Sequence, residues 1–162
     1  MRCARLIALS VMFALAACQQ QPASQDAAAA APDAKPGMAV ANGTLVLPAV
    51  KGNPAAAYFS VFNGNDKDVT LVAVSIAAAG KAEMHQSARM GMDKLDSLAI
   101  KPSWTQRFYR GGRHVMAFDL DPGLKPGGQT EMTLTFADGD KFSVPLKVEA
   151  AGAAAMEHGE DH

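Results

Sequence analysis

Histidine and methionine carry the unusual chemistry of this 162-residue chain, which has four of the first and nine of the second. Three histidines, His85, His114 and His158, each lie within two residues of a methionine, Met84, Met116 and Met156. Methionine used as core filler would follow the periodicity of its strand and would not track histidine. In His114-Val115-Met116 the outer two residues share a strand face, which sets an imidazole beside a thioether. His85 closes an apparent strand. Met90 and Met92 follow it in Ser87-Ala88-Arg89-Met90-Gly91-Met92, read here as a loop that folds back over it. Thioether and imidazole suit Cu(I), whereas Mg or Ca would want oxygen ligands. Thioether sulfur also needs no deprotonation before it binds a metal. A blue-copper electron-transfer centre needs a cysteine ligand. The two cysteines are Cys3 and Cys18, both at the extreme N-terminus, so that chemistry is excluded. A second group, Met156, His158 and His162 among Glu157, Glu160 and Asp161, offers nitrogen and oxygen donors better matched to Cu(II).

The elements that must position these side chains read as short strands. Phe142, Val144, Leu146 and Val148 alternate with Lys141, Ser143, Pro145 and Lys147, giving one apolar and one solvated face. Pro145 predicts an edge strand, because proline cannot donate to a ladder. Met132, Leu134 and Phe136 alternate with threonines, so Met132 is core, and Asp138-Gly139 is a hairpin turn between the two runs. Met84 is out of phase with His85 and is likewise read as core. Thr44–Leu47, Ala57–Phe62, Val69–Ile76, Ala82–Gln86, Thr105–Tyr109 and Val115–Leu120 complete eight strands. With no helical period longer than two turns, the chain reads as all-β, a Greek-key sandwich or small barrel.

The ends have other purposes. Arg2 and Arg5, an apolar run over Leu6–Ala17 and small residues at its close make residues 1–17 an export signal, too short for the about 20 residues of a membrane-spanning helix. Leu15-Ala16-Ala17-Cys18 resembles the bacterial lipobox, whose cysteine is lipidated. Gln19 after it resembles lipoproteins sorted to an outer membrane. The expected location is therefore the periplasm, with the lipid at Cys18 as the only membrane attachment. Residues 18–42 read as lipidated cysteine and flexible linker, poor in anything large enough to bury. Residues 43–149 form the β domain, and residues 150–162 a disordered tail. A formal net charge of -1 gives no broad cationic field for nucleic acid.

These residues resemble the periplasmic copper chaperones written PCu(A)C, small cupredoxin-like β proteins whose signature is a histidine, a methionine, a twenty-one-residue gap and then His-x-Met. Here Met92 and His114 enclose twenty-one residues, and Met116 completes His-x-Met. Ala82-Glu83-Met84-His85, Gly111-Gly112-Arg113-His114-Val115-Met116 and Leu124-Lys125-Pro126-Gly127 match the surrounding pattern. The interval between His85 and Met92 is shorter than the family's, six residues where ten are usual, so Met90 stays in play beside Met92. The resemblance implies a Cu(I) site of His85, Met92, His114 and Met116. It also implies delivery to a copper site of a respiratory haem–copper oxidase or its assembly factor. No Gly-x-Ser-x-Gly or zinc-protease motif accompanies these residues, and the expectation is a protein without enzymatic turnover. The competing expectation is a copper-buffering or ligand-binding β-sandwich lipoprotein with no delivery role.

Overall fold

A computed structural model describes residues 35–153. The export signal, Cys18 and the tail residues Met156, His158 and His162 lie outside these residues. Ten strands follow one another: β1 (Met38–Val46), β2 (Ala55–Asn63), β3 (Val69–Ile76), β4 (Ala79–Ala88), β5 (Gly91–Leu95), β6 (Leu98–Ile100), β7 (Trp104–Phe108), β8 (Arg113–Leu120), β9 (Gln129–Phe136) and β10 (Lys141–Glu149). They join in one hydrogen-bonded path, β5-β4-β8-β2-β1-β10-β9-β3-β6, with β7 paired along the second half of β2. The path folds over so that alternate residues of both halves meet in a common core. Leu45, Val61, Leu71, Val115, Met132, Leu134 and Leu146 have no exposed surface there, and Met84 and Phe136 are almost as deep. Phe59 and Phe108 stack within it, ring centres 4.2 Å apart.

Three departures from the sequence reading have physical causes. β1 begins at Met38, so residues 38–42 of the expected linker are strand. Met38 is buried, and Ala39 and Val40 pair with Phe62 and Val61. Ala39 and Ala41 stay exposed, so these small residues, which look like tether in sequence, join the fold through backbone pairing with β2. The register then shifts between Ala41 and Thr44, and Asn42 takes a φ of 57° at the irregularity. β5 forms where a loop was read and β6 is a further short strand beyond the eight expected, because an edge strand with only Leu95 half-buried, or one of three residues, shows no apolar alternation. Pro145 is not on an edge, for β10 lies between β9 and β1. The parallel ladder with β1 runs from Thr44↔Lys147 to Val46↔Glu149 and does not reach Pro145. The backbones nevertheless come close there. A Cβ on Gly43 would stand 2.9 Å from the Pro145 carbonyl oxygen, which explains the glycine. The Asp138-Gly139 hairpin is present as expected, with Gly139 at φ 90°.

The chain just before β1 is pinned. Lys35 is buried, donates to the carboxylates of Asp138 and Asp140 at the β9–β10 turn, and lies over the Phe136 ring. Burial opposes its charge, but the two carboxylates outweigh that and raise its pKa above the ordinary lysine value. The Lys35 hydrogen bond in turn holds the Asp138 carboxyl below the usual carboxylate range. A depressed carboxyl stabilises the fold above its unfolded pKa, near ~3.9, and ceases to as pH falls through the lower folded value. The raised lysine acts until pH climbs past its folded value. We therefore expect Lys35→Met to flatten the acid limb of stability below about pH 4. Urea midpoints at pH 7 and pH 3 for both proteins check this, and parallel losses in the two would remove the clamp from the account.

Candidate metal centre

Strand alternation assigns the candidate ligands to one surface. In β4 and β8, Met84, Val115 and Ala117 point to the core, so Glu83, His85, His114 and Met116 face outward. The β4–β8 register puts His85 directly across from His114 and Glu83 across from Met116. β5 adds Lys94 opposite His85 and Met92 opposite Ser87, which places Met92 diagonal to His85 on the same surface. Arg89 and Met90 form the two-residue turn of this hairpin, and Met90 is 98% exposed, outside the register that the other donors share. The structure thus brings His85, His114, Met116 and Met92 onto three adjacent strands. Met84 and Met132 go to the core, as expected.

The two imidazoles lie 6.1 Å apart, centre to centre, and 22° from parallel. Both ring nitrogens of His85 are buried and have no hydrogen-bond partner. Glu83 Oε2 approaches Nε2 to 3.5 Å without making a hydrogen bond. A buried imidazole left unpaired costs stability, so a ligand that takes its lone pair would repay a real deficit. His114 Nδ1 stands 3.0 Å from the Gly112 carbonyl oxygen. A carbonyl can only accept, so Nδ1 carries the proton and Nε2 keeps its lone pair for a metal. Gly112 cannot be replaced cheaply, because a Cβ there would fall 2.3 Å from the Tyr109 ring. The same Gly112 carbonyl accepts from Ser87 N at 3.1 Å and so ties β4 to β8 beside the histidines.

Glu83 is the residue that sequence reasoning passed over as a functional group. Its Oε1 lies 3.0 Å from Lys81 Nζ and 3.3 Å from Lys94 Nζ. The Lys81 hydrogen bond, opposed by burial and helped by Lys94, holds its carboxyl below the usual range. An anion is therefore fixed beside His85. The signal for it was position i−2 from a strand histidine, legible only once the β4–β8 register was known.

Among the described residues no group of three or more histidine, cysteine or carboxylate side chains is gathered as a metal site. What this surface offers is two imidazoles and two thioethers, a donor set for a soft, low-charge ion. A cleft of about 510 Å³ lies instead at the far end of β8, lined by Leu47, Asn53, Asp119 and Leu124 among others, without an imidazole or thioether.

Comparison with known proteins adds a family and a fold. A family model described as "Putative lipoprotein LpqE-like" matches residues 23–148. An uncharacterized protein, RP573 of Rickettsia prowazekii (strain Madrid E), is 29% identical over 103 residues, 60% of this chain. The match spans 57% of that curated relative's length. Among solved structures, the copper-bound PCuAC domain from PmoF2 superposes with a TM-score of 0.61 at 24% identity, covering 70% of this chain and 93% of that one. The apo PCuAC domain from PmoF1 gives 0.60 at 25% identity, over 70% and 94%. The solution structure of CuI-DR1885 from Deinococcus radiodurans gives 0.57 at 26% identity, over 75% and 81%. The fold is the cupredoxin-like β fold of PCuAC domains.

Proposed function

Because the chain belongs to the LpqE-like family and has the cupredoxin-like fold of PCuAC domains, we propose that it is a Cu(I) carrier, with His85, His114, Met116 and Met92 as the copper ligands. The observation that carries this reading is the half-buried His85 imidazole, whose two ring nitrogens are buried and unpartnered, facing a second imidazole whose Nε2 is free. Copper is cargo here, and the arrangement suits exchange. Met92, on an edge strand and 53% exposed, is the donor an incoming ligand reaches first, while His114 is buried on β8, an inner strand between β4 and β2. The two imidazoles and Met116 hold the ion until a competing donor has replaced Met92. No bond is made or broken in a substrate, so the reading is of a carrier and not an enzyme.

The same proposal places the protein in the periplasm, anchored by lipid on Cys18, with the outer membrane as the site of anchoring. The family's description as lipoproteins supports the anchor. Delivery to a copper site of a haem–copper oxidase, or to its assembly factor, rests on the resemblance of the His-x-Met stretch to the PCu(A)C chaperones. In the tail, Met156, His158 and His162 make a separate, weaker Cu(II) site in this proposal. Truncation after Glu149 should abolish Cu(II) binding and spare Cu(I); an unchanged Cu(II) stoichiometry discards the tail site.

Competition with a chromogenic Cu(I) chelator tests the ligand set. Met92→Leu and Met116→Leu conserve volume and should leave the fold within about 1.5 kcal/mol. Each should weaken Cu(I) binding about tenfold or more, ~1.4 kcal/mol, while Met90→Leu should bind like the parent. Loss in Met90→Leu with none in Met92→Leu would transfer the role to the turn. Parent-like binding in both Met92→Leu and Met116→Leu would reject the site.

A further inference from the structure

The surface that carries these ligands has a charge opposite in sign to the chain. The formal net charge is -1, yet the outward face of β5-β4-β8-β2-β7 bears Lys81, Lys94, Arg107 and Arg110, with Arg89 at its rim. Arg107 pairs with Ser60 on the side away from the buried Gln106 and Phe108. Lys81 Nζ lies over the Phe118 ring and the Arg110 guanidinium over the Tyr58 ring, so each sets its charged head against an aromatic face. The acids on this face are Glu83, engaged by both lysines, and Asp96, 3.8 Å from Lys94 Nζ. Asp93 alternates to the other side of β5. Interleaved with the cations are exposed apolar side chains: Phe62, Met92 and Tyr109, with Met90 at the hairpin tip. Arginine, methionine and tyrosine are the residues that interface cores favour, and exposed patches of this kind mark docking sites. Lys81 and Lys94, both more than half exposed beside the ligands, contact Glu83 and each keep further N–H donors for a partner's carboxylates.

We propose that this face is the docking surface for a protein with an acidic surface surrounding its own soft-ligand copper site. The inference rests on the Cu(I) reading for its purpose and on charge and exposed apolar area for its location. Basic-to-acidic complementarity would bring the two metal sites together in register and accelerate encounter, and salt would screen it. Met92, the most accessible donor, lies within the contact, so ligand exchange could begin as soon as the surfaces meet.

Two synthetic peptides with the same Cys-x-x-Cys core test it, one flanked by aspartate and glutamate and the other by lysine. With copper-free protein, backbone amide shifts should change on β4, β5, β7 and β8 on adding the acidic peptide and not the basic one. Arg107→Glu combined with Arg110→Glu should abolish those changes. With Cu(I)-loaded protein, transfer to the acidic peptide should be about tenfold faster at low salt, and the two rates should converge near 1 M salt. The double variant should keep the parent's Cu(I) affinity while losing the preference. Equal responses to both peptides, or shifts on another face, overturn the proposal. Shifts on this face that grow with protein concentration alone assign it to a second copy. Shifts there on truncation after Glu149 assign it to the chain's own tail. Either result also overturns the proposal. Should the protein bind no Cu(I), the copper reading falls by itself, and the copper-free shift map still decides the docking surface.

Discussion

His85→Leu should make the copper-free protein more stable and the copper-loaded protein weaker, two effects of opposite sign from one substitution. The imidazole has two buried nitrogens without hydrogen-bond partners. Leaving such a group unsatisfied costs about 1–3 kcal/mol, and leucine removes that cost while still filling space against β4 and β8. The same change deletes a ligand directly across from His114. Cu(I) affinity should fall about a hundredfold, ~2.7 kcal/mol. Melting curves with and without one equivalent of Cu(I) read both quantities, since a bound ion raises the midpoint only where it binds the folded state. A structural histidine would behave differently: the variant would be destabilised, and its copper-dependent shift would match the parent's.

Asn63→Asp carries the largest expected cost to the fold. Asn63 has no exposed surface at the end of β2. Its Nδ2 donates to the carbonyls of Lys67 and Ile100 at 2.8 and 2.9 Å, and its Oδ1 accepts from Asn65 N and Asn65 Nδ2 at 3.0 and 3.1 Å. Every hydrogen-bonding capacity on one side of the amide is therefore answered by a donor, and on the other by acceptors. Aspartate is nearly isosteric but sets a carboxylate oxygen against two carbonyl oxygens, so it is buried charged and repelled or buried protonated. Either way about 3 kcal/mol or more of stability should be lost, from the unpaired groups and the desolvated acid. A denaturant midpoint within error of the parent would show that this pin is not needed.

The strands most legible in the sequence were those with one clean buried face. Phe142, Leu146 and Val148 in β10 and Met132, Leu134 and Phe136 in β9 alternate with polar residues, and the core takes just those side chains. The start of β1 and the whole of β5 were not legible. One is built of small residues that become strand only by pairing with Phe62 and Val61, and the other is an edge whose one half-buried side chain is Leu95. Pro145 misled because an edge is only one way to spare a missing donor; a parallel ladder that stops short is another. His114 and Met116 were legible as neighbours because they share a strand. That His85 faces His114 is set by a register between residues 29 apart in sequence, which no local pattern encodes. Glu83 stayed hidden for the same reason, since its partners Lys81, Lys94 and Met116 come from three strands.

X-ray absorption at the copper edge of protein loaded with one equivalent of Cu(I) tests the central claim most directly. The account predicts a mixed first shell of imidazole nitrogen and thioether sulfur, with the imidazole contribution reduced in His85→Leu and the sulfur contribution reduced in Met116→Leu. A shell of nitrogen and oxygen alone, or no retained copper after desalting, would contradict it.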